Sequence, residues 1–256
     1  MGTYQRAAGR DVKSLITALF HETNMPFFGM LPSMPHRRTF LTFLLFAIAT
    51  GAHAQRDPLP KVVLVGDSIR LSYAPLVIRE LNGQATVISP KGNGGDSANV
   101  LRKLASWVIA AKPDIVHFNC GIHDTKLFTA GNEFQVPPTQ YEANLRRIVE
   151  RIRAETDAIV LFATTTPILD DRAAAKRKGR DYVLTGEAVW KYNTLARKVM
   201  TELNVPINDL HRIVTYPPKP HKFKSLIGDD GVHLTQSAKE LLGKAVAKFI
   251  QRHLKK

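Results

Sequence analysis

Two kinds of apolar run alternate along most of this chain. Lys61 to Val65 is a short β-branched run that stops at Gly66, and the stretch that follows, Tyr73 to Leu81, carries its apolar residues at helical spacing. The alternation recurs. Strands are predicted at Ala85 to Ser89, Asp114 to Cys120, Ala158 to Thr164 and Val205 to Asn208. Between them, Asp96 or Ser97 caps a helix with Val100, Leu101, Leu104, Trp107 and Val108 on one face. Further helices are predicted over about Thr139 to Ala154, with Leu145, Ile148 and Ile152 aligned, over Gly186 to Leu203, and over Thr235 to about His253. Strands that are apolar nearly throughout imply a parallel sheet covered on both faces by helices. The predicted class is therefore α/β, with a central, mostly parallel five-stranded sheet. No repeat or interdomain linker interrupts the pattern, so residues 55–256 are expected to form one domain.

The first 54 residues depart from it. Arg37 and Arg38 precede the apolar run Phe40 to Ala49, and Ala52-His53-Ala54 offers a small-x-small cleavage site, as in a signal peptide over residues 34–54 cut after Ala54. Met34 would be the true start of such a peptide, and residues 1–33 an upstream part from a mis-assigned start. The apolar run falls short of the roughly 20 residues that span a bilayer, so no stable membrane anchor is expected and the protein is placed in the periplasm or outside the cell. Residues 55–256 carry 31 Lys plus Arg against 20 Asp plus Glu, and this net charge of +11 favours anionic partners, an acidic polysaccharide or an anionic envelope surface before nucleic acid. Lys176-Arg177-Lys178-Gly179-Arg180 has no interleaved aromatics and is expected to be an exposed loop, so nucleic-acid binding is not predicted. Cys120 is the single cysteine, which excludes an intrachain disulfide; beside Phe118 in an apolar strand, it is expected to be a buried structural thiol.

Candidate chemistry collects where predicted strands end. Gly66-Asp67-Ser68 follows the first strand, Gly94-Gly95 the second and Gly121-Ile122-His123-Asp124 the third, and ligands of open α/β sheets bind beyond those carboxyl ends. A serine at a sharp strand-to-helix turn exposes its hydroxyl above the sheet and leaves its amide free for an anion. Near the far end of the chain, Asp230 stands three residues before His233 at a helix entrance, close enough for the carboxylate to fix the imidazole tautomer. Adjacent Asp229 is the less favoured partner. A hydroxyl, an imidazole and a carboxylate are the equipment of nucleophilic acyl transfer, which also needs donors aimed at the developing oxyanion; the amides of Ser68 and Gly95 are candidates.

In combination, Gly66-Asp67-Ser68-Ile69, Gly95-Asp96-Ser97, Gly121-x-x-Asp124 and Asp230-x-x-His233 resemble blocks I, II, III and V of the SGNH, or GDSL-type, esterases and lipases. Pro167 after Thr164-Thr165-Thr166, and Tyr192-Asn193, resemble weaker features of that family. The resemblance implies a flavodoxin-like three-layer α/β/α sandwich and a serine esterase without metal or organic cofactor. In it Ser68 is the nucleophile, His233 the base, Asp230 its partner, and Ser68 and Gly95 donate to the oxyanion. The family's third block carries an Asn where this chain has His123. A neutral imidazole still has one N–H to donate, so His123 is the expected third donor. Asn119 is a further candidate, and Asp124 is expected to hold the loop.

The expected substrate is a small-molecule or carbohydrate ester bearing a short acyl group. A decayed carbohydrate-binding protein of the same fold, or an O-acyltransferase, is the alternative. Loops at Lys126 to Pro137, Arg172 to Arg180 and Lys219 to Lys224, with Phe128, Phe134 and Phe223, are expected to rim the pocket, and the whole charged insertion Asp170 to Asp181 is expected to be loop. His117 is expected to be satisfied and partly buried. His211 and His221 lie in loop-like sequence with no ligands at metal-binding spacing. The sequence leaves the oligomeric state undetermined.

Overall fold

The computed structural model describes residues 58–254; the predicted signal peptide and its cleavage site lie outside them. In chain order the elements are β1 (Lys61–Val65), α1 (Ser68–Glu80), β2 (Thr86–Ile88), α2 (Ser97–Trp107), β3 (Ile115–Phe118), β4 (Leu127–Phe128), β5 (Glu133–Phe134) and α3 (Pro138–Glu155). They continue with β6 (Ile159–Ala163), α4 (Asp170–Lys176), β7 (Tyr182–Val183), α5 (Gly186–Glu202), β8 (Ile207–Asn208), α6 (Leu210–Thr215), α7 (Phe223–Leu226) and α8 (Gln236–Gln251).

The main sheet has five strands in the order β2-β1-β3-β6-β8, and every pairing is parallel. Its strands are apolar on both faces because both are covered. Val63, Val65, Val116, Phe118, Val160 and Phe162 pack against α2, α3 and α5. Val62, Leu64, Ile115, Leu161 and Ala163 pack on the other side against α1, α6, α7 and α8. The expected three-layer α/β/α sandwich is thus present. At about 25 cal/mol per Å² of apolar surface removed from water, these two clusters are the main source of stability.

The sequence pattern missed several small elements. Residues 170–181 are not all loop: Asp170 and Asp171 occupy the first turn of α4, three alanines follow, and Lys176 closes it. Acidic residues at the start and a cation at the end suit the helix dipole, and alanine is the best helix former. Helix α1 starts at Ser68, earlier than its apolar spacing suggested, because the Asp67 side chain accepts from the Ile69 N–H and caps it. His211 lies on α6 and not in a loop. A second, three-stranded antiparallel sheet, β5-β4-β7, joins the loop after β3 to the segment after α4.

Beneath the second sheet lies a separate apolar cluster of Ile122, Ile168, Ala173, Leu184, Val189 and Val232. It fastens the residue before His123 and the residue before His233 to the same packed unit.

Candidate active site

The strand order reverses direction between β1 and β3, so the crevice opens at their carboxyl ends. Ser68 stands there as the first residue of α1, and its N–H is one of those that helix geometry leaves without an intrahelical partner. Behind it the buried guanidinium of Arg70 holds the strand-end loops together. Nη2 donates to the carbonyl oxygens of Gly66 and Gly92, at 2.9 and 2.8 Å. Nη1 donates to the Pro90 carbonyl at 2.7 Å and to Ser89 Oγ at 2.8 Å. Four acceptors around one charged donor make this clamp stronger than neutral bonds of the same number.

Across 165 residues of sequence, the sheet brings Ser68 Oγ to 3.0 Å from His233 Nε2. The other ring nitrogen, Nδ1, meets Asp230 Oδ2. Asp230 Oδ1 accepts from the N–H groups of Val232, at 3.0 Å, and of His233, at 2.9 Å. Partial burial works against the Asp230 charge, but these bonds together hold its pKa down to about 2. Asp230, and not Asp229, is therefore the partner of His233. The turn depends on Gly231, whose φ is +73° and whose missing Cβ would sit 2.3 Å from the Ala173 nitrogen. Arg177 Nη1 donates to the Asp230 carbonyl at 2.8 Å and joins the same turn to the end of α4.

His123 lines the cavity that Ser68 and His233 share. Burial lowers its pKa, against the attraction of Asp67 and Asp96, so the ring is neutral near pH 7 and keeps one N–H. Asp67 lies behind it with its own pKa raised by burial, and Asn119 is buried beside Asp67. Asn119 does not line the cavity.

Gly95 follows β2, but its N–H donates to Asn93 Oδ1 at 2.8 Å. The amide expected to be an open oxyanion donor is therefore occupied, and Gly95 is not among the residues that line the cavity. Asp124 fastens the loop, as expected: its Oδ2 accepts from the Ser97 N–H at 3.1 Å, and its Oδ1 takes both the Ser97 amide and hydroxyl. Burial raises the Asp124 pKa to about 7. Burial also raises that of the Cys120 thiol and leaves it an unreactive core residue.

The cavity has a volume of about 260 Å³. Ile122, Leu184 and Val232 contribute apolar lining; Asn93, Lys126, Arg177 and Tyr182 contribute polar lining. Of the expected rim loops, the first two each supply one cation to it, while Lys219 to Lys224 supplies nothing. The three phenylalanines are not cavity contacts. Phe128 packs edge-on against Tyr182, Phe134 against Tyr192, and Phe223 against the α1/α8 core. Tyr182, Leu184 and Asn93 escaped the sequence reading, since two-residue strands and turns carry no period to detect. Among the described residues, no group of three or more His, Cys, Asp or Glu side chains is placed to hold a metal ion, and no helix is long and apolar enough to cross a membrane.

Chemically, the arrangement can pass a proton from the Ser68 hydroxyl to an imidazole whose tautomer a carboxylate fixes. The sequence profile of the GDSL-like lipase/acylhydrolase family matches residues 62–241. The chain belongs to that family. Solved structures of similar fold include a lipase/acylhydrolase from Enterococcus faecalis, 24% identical with a TM-score of 0.62, covering 77% of this chain and 98% of that one. The acetylxylan esterase Axe2 from Geobacillus stearothermophilus is 19% identical with a TM-score of 0.60, covering 75% of this chain and 94% of its own. The acetyl xylan esterase AlAXEase is 18% identical with a TM-score of 0.60, covering 74% of this chain and 99% of its own. No curated protein matches the sequence. This GDSL-family chain shares with those structures the parallel sheet flanked by helices.

Proposed function

We propose that this protein is an exported serine esterase that removes short acyl groups from carbohydrate esters. The observation that carries the reading is the 3.0 Å contact of Ser68 Oγ with His233 Nε2, backed by Asp230 on Nδ1. Ser68 Oγ attacks the ester carbonyl as its proton moves to Nε2, and the carbonyl π pair becomes the oxyanion. The C–O bond to the alcohol then breaks, and that alcohol leaves with the proton from His233. Water repeats the cycle on the acyl-enzyme and regenerates Ser68.

The oxyanion is held by the N–H of Ser68, by the N–H of Gly95 and by the ring N–H of His123, which takes the place of the family's third-block Asn. The Gly95 N–H now donates to Asn93 Oδ1, so its share in holding the oxyanion requires that this bond be given up. A cavity of about 260 Å³ favours a short acyl group over a long lipid chain. The acetylxylan esterases of like fold favour carbohydrate as the alcohol. Export rests on Arg37-Arg38, the run Phe40 to Ala49 and Ala52-His53-Ala54.

Hydrolysis of 4-nitrophenyl acetate by residues 55–256 tests the reading. Activity is expected to disappear in Ser68→Ala, together with labelling by a fluorophosphonate probe. Equal rates in both proteins would overturn the serine mechanism.

A further inference from the structure

The cavity has a sign. Its lining holds Lys126 and Arg177 beside the two histidines and includes no carboxylate. Four acids close to it are engaged elsewhere: Asp230 on His233, Asp96 on the Asn99 amide and Gln135, Asp124 on Ser97, and Asp67 buried at the cap of α1. Neither cation has an ion-pair partner among the described residues. Both are nonetheless positioned. Arg177 is anchored through Nη1 to the carbonyl oxygens of Ala173 and Asp230, at 3.2 and 2.8 Å. Lys126 holds its Nζ 5.1 Å from the centre of the Tyr182 ring, which orients the ammonium without neutralising it. Two fixed and uncompensated cations in a concave site favour an anion there, and the net charge of +11 over residues 55–256, 31 Lys plus Arg against 20 Asp plus Glu, adds long-range attraction.

From this we infer that the substrate is an ester of an anionic alcohol, an O-acylated sugar that also carries a carboxylate or sulfate. The inference rests on the esterase reading and names its substrate class. The apolar lining residues Ile122, Leu184 and Val232 suit the acyl methyl group, and the two cations receive the charged sugar. Arg177 meets a carboxylate or sulfate through its planar fork and Lys126 as a point charge. Arg177 also contacts the carbonyl of Asp230, so the anion is bound beside the turn that carries His233.

The test compares three acetylated methyl glycosides that share the acetylated position: the glucoside, the glucuronoside and the glucoside 6-sulfate. If each cation contributes about threefold, as a half-exposed ion pair does, kcat/KM is about tenfold higher for a charged sugar than for the neutral one at low ionic strength. The advantage shrinks in 0.5 M salt. The better of the two charged sugars identifies the anion. Arg177→Gln and Lys126→Gln each lower the charged-to-neutral ratio, and inhibition of the wild-type protein by free glucuronate but not by glucose gives the same answer without a variant. Equal or reversed preference, with both sugars cleaved in a Ser68-dependent way, overturns the anionic substrate and leaves the esterase standing. If no ester is cleaved yet glucuronate binds more tightly than glucose by calorimetry, the anion site stands and the esterase reading falls; absence of both overturns both.

Discussion

Replacing Asp230 by Asn tests whether this carboxylate sets the chemistry of His233 or merely neighbours it. The Asn carbonyl can keep the bonds that Oδ1 now accepts from the Val232 and His233 N–H groups, so the turn should survive. Its NH2 then faces Nδ1. An imidazole that must accept at Nδ1 carries its proton on Nε2, and a protonated Nε2 cannot take the proton of Ser68 from 3.0 Å away. The expected loss in kcat is about 10⁴-fold, the size seen when the same swap traps the wrong tautomer in a Ser-His-Asp triad, and corresponds to about 5.5 kcal/mol of barrier. Stability should change far less. The Asp230 pKa falls from 3.8 to about 2 in the fold. That drop is worth about 2 kcal/mol in full linkage, and with 22% of the side chain exposed, screening leaves about 1 kcal/mol. This contribution is present above pH 4 and is lost as the pH falls towards 2, so the wild type and Asp230→Asn should converge in urea midpoint at pH 2. Steady-state hydrolysis of 4-nitrophenyl acetate at pH 7, with denaturant melts of both proteins, reads the two effects separately. A kcat within tenfold of wild type, in a folded variant, would refute the tautomer argument.

Three other outcomes follow from the geometry. His123→Ala should reduce kcat by about 10²- to 10³-fold with little change in KM, while His123→Asn should recover most of it; a variant without loss removes His123 from the oxyanion site. His117 is fully buried and its pKa falls from 6.5 to about 4, so the fold binds fewer protons than the unfolded chain and loses stability as the pH drops through that window. Urea midpoints should register a loss of about 3 kcal/mol between pH 6.5 and 4, and His117→Leu should flatten the slope; an unchanged slope assigns it to other groups. Gly231→Ala forces a left-handed φ on an L-residue, at about 1–2 kcal/mol, and pushes a methyl into the α4 backbone. Activity should fall about 10²-fold through displacement of His233, with a lower melting temperature, and a near-wild-type enzyme would mean that the turn relaxes freely.

The parts of the fold legible in sequence were those whose periodicity survives over several residues. The three central strands β1, β3 and β6, buried on both faces, left apolar runs too continuous to be half-exposed, and the motifs at strand ends and at the entrance to α8 located Ser68, His123, Asp230 and His233 on one edge. Short elements stayed hidden for the opposite reason. Strands β4, β5 and β7 have two residues each, so the sheet that carries Tyr182 to the cavity had no pattern to reveal it. Helix α4 looked like loop because its charges outweighed three alanines. Side-chain engagement was the least legible level. Arg70 is spaced like a surface residue of α1 yet lies fully buried among carbonyl oxygens, and nothing in Gly94-Gly95 announces that Asn93 occupies the amide. His117, expected to be half-covered and satisfied, is wholly buried, with Asn208 Nδ2 at 3.3 Å from its Nε2 and no partner for Nδ1.

The small apolar cluster under the second sheet bears on how this protein can be redesigned. Leu184, which helps set the shape of the cavity, shares that cluster with Ile122 and Val232, the immediate neighbours of the two histidines. The shape of the cavity and the placement of the two histidines therefore stand on a common footing that is distinct from the two large cores. A library confined to Leu184, Ile168 and Val189 would spare the scaffold while reshaping the pocket, but every gain in substrate scope would also shift the spacing of His123 and His233. Variants selected for bulkier acyl groups should accordingly retain their melting temperature and give up rate.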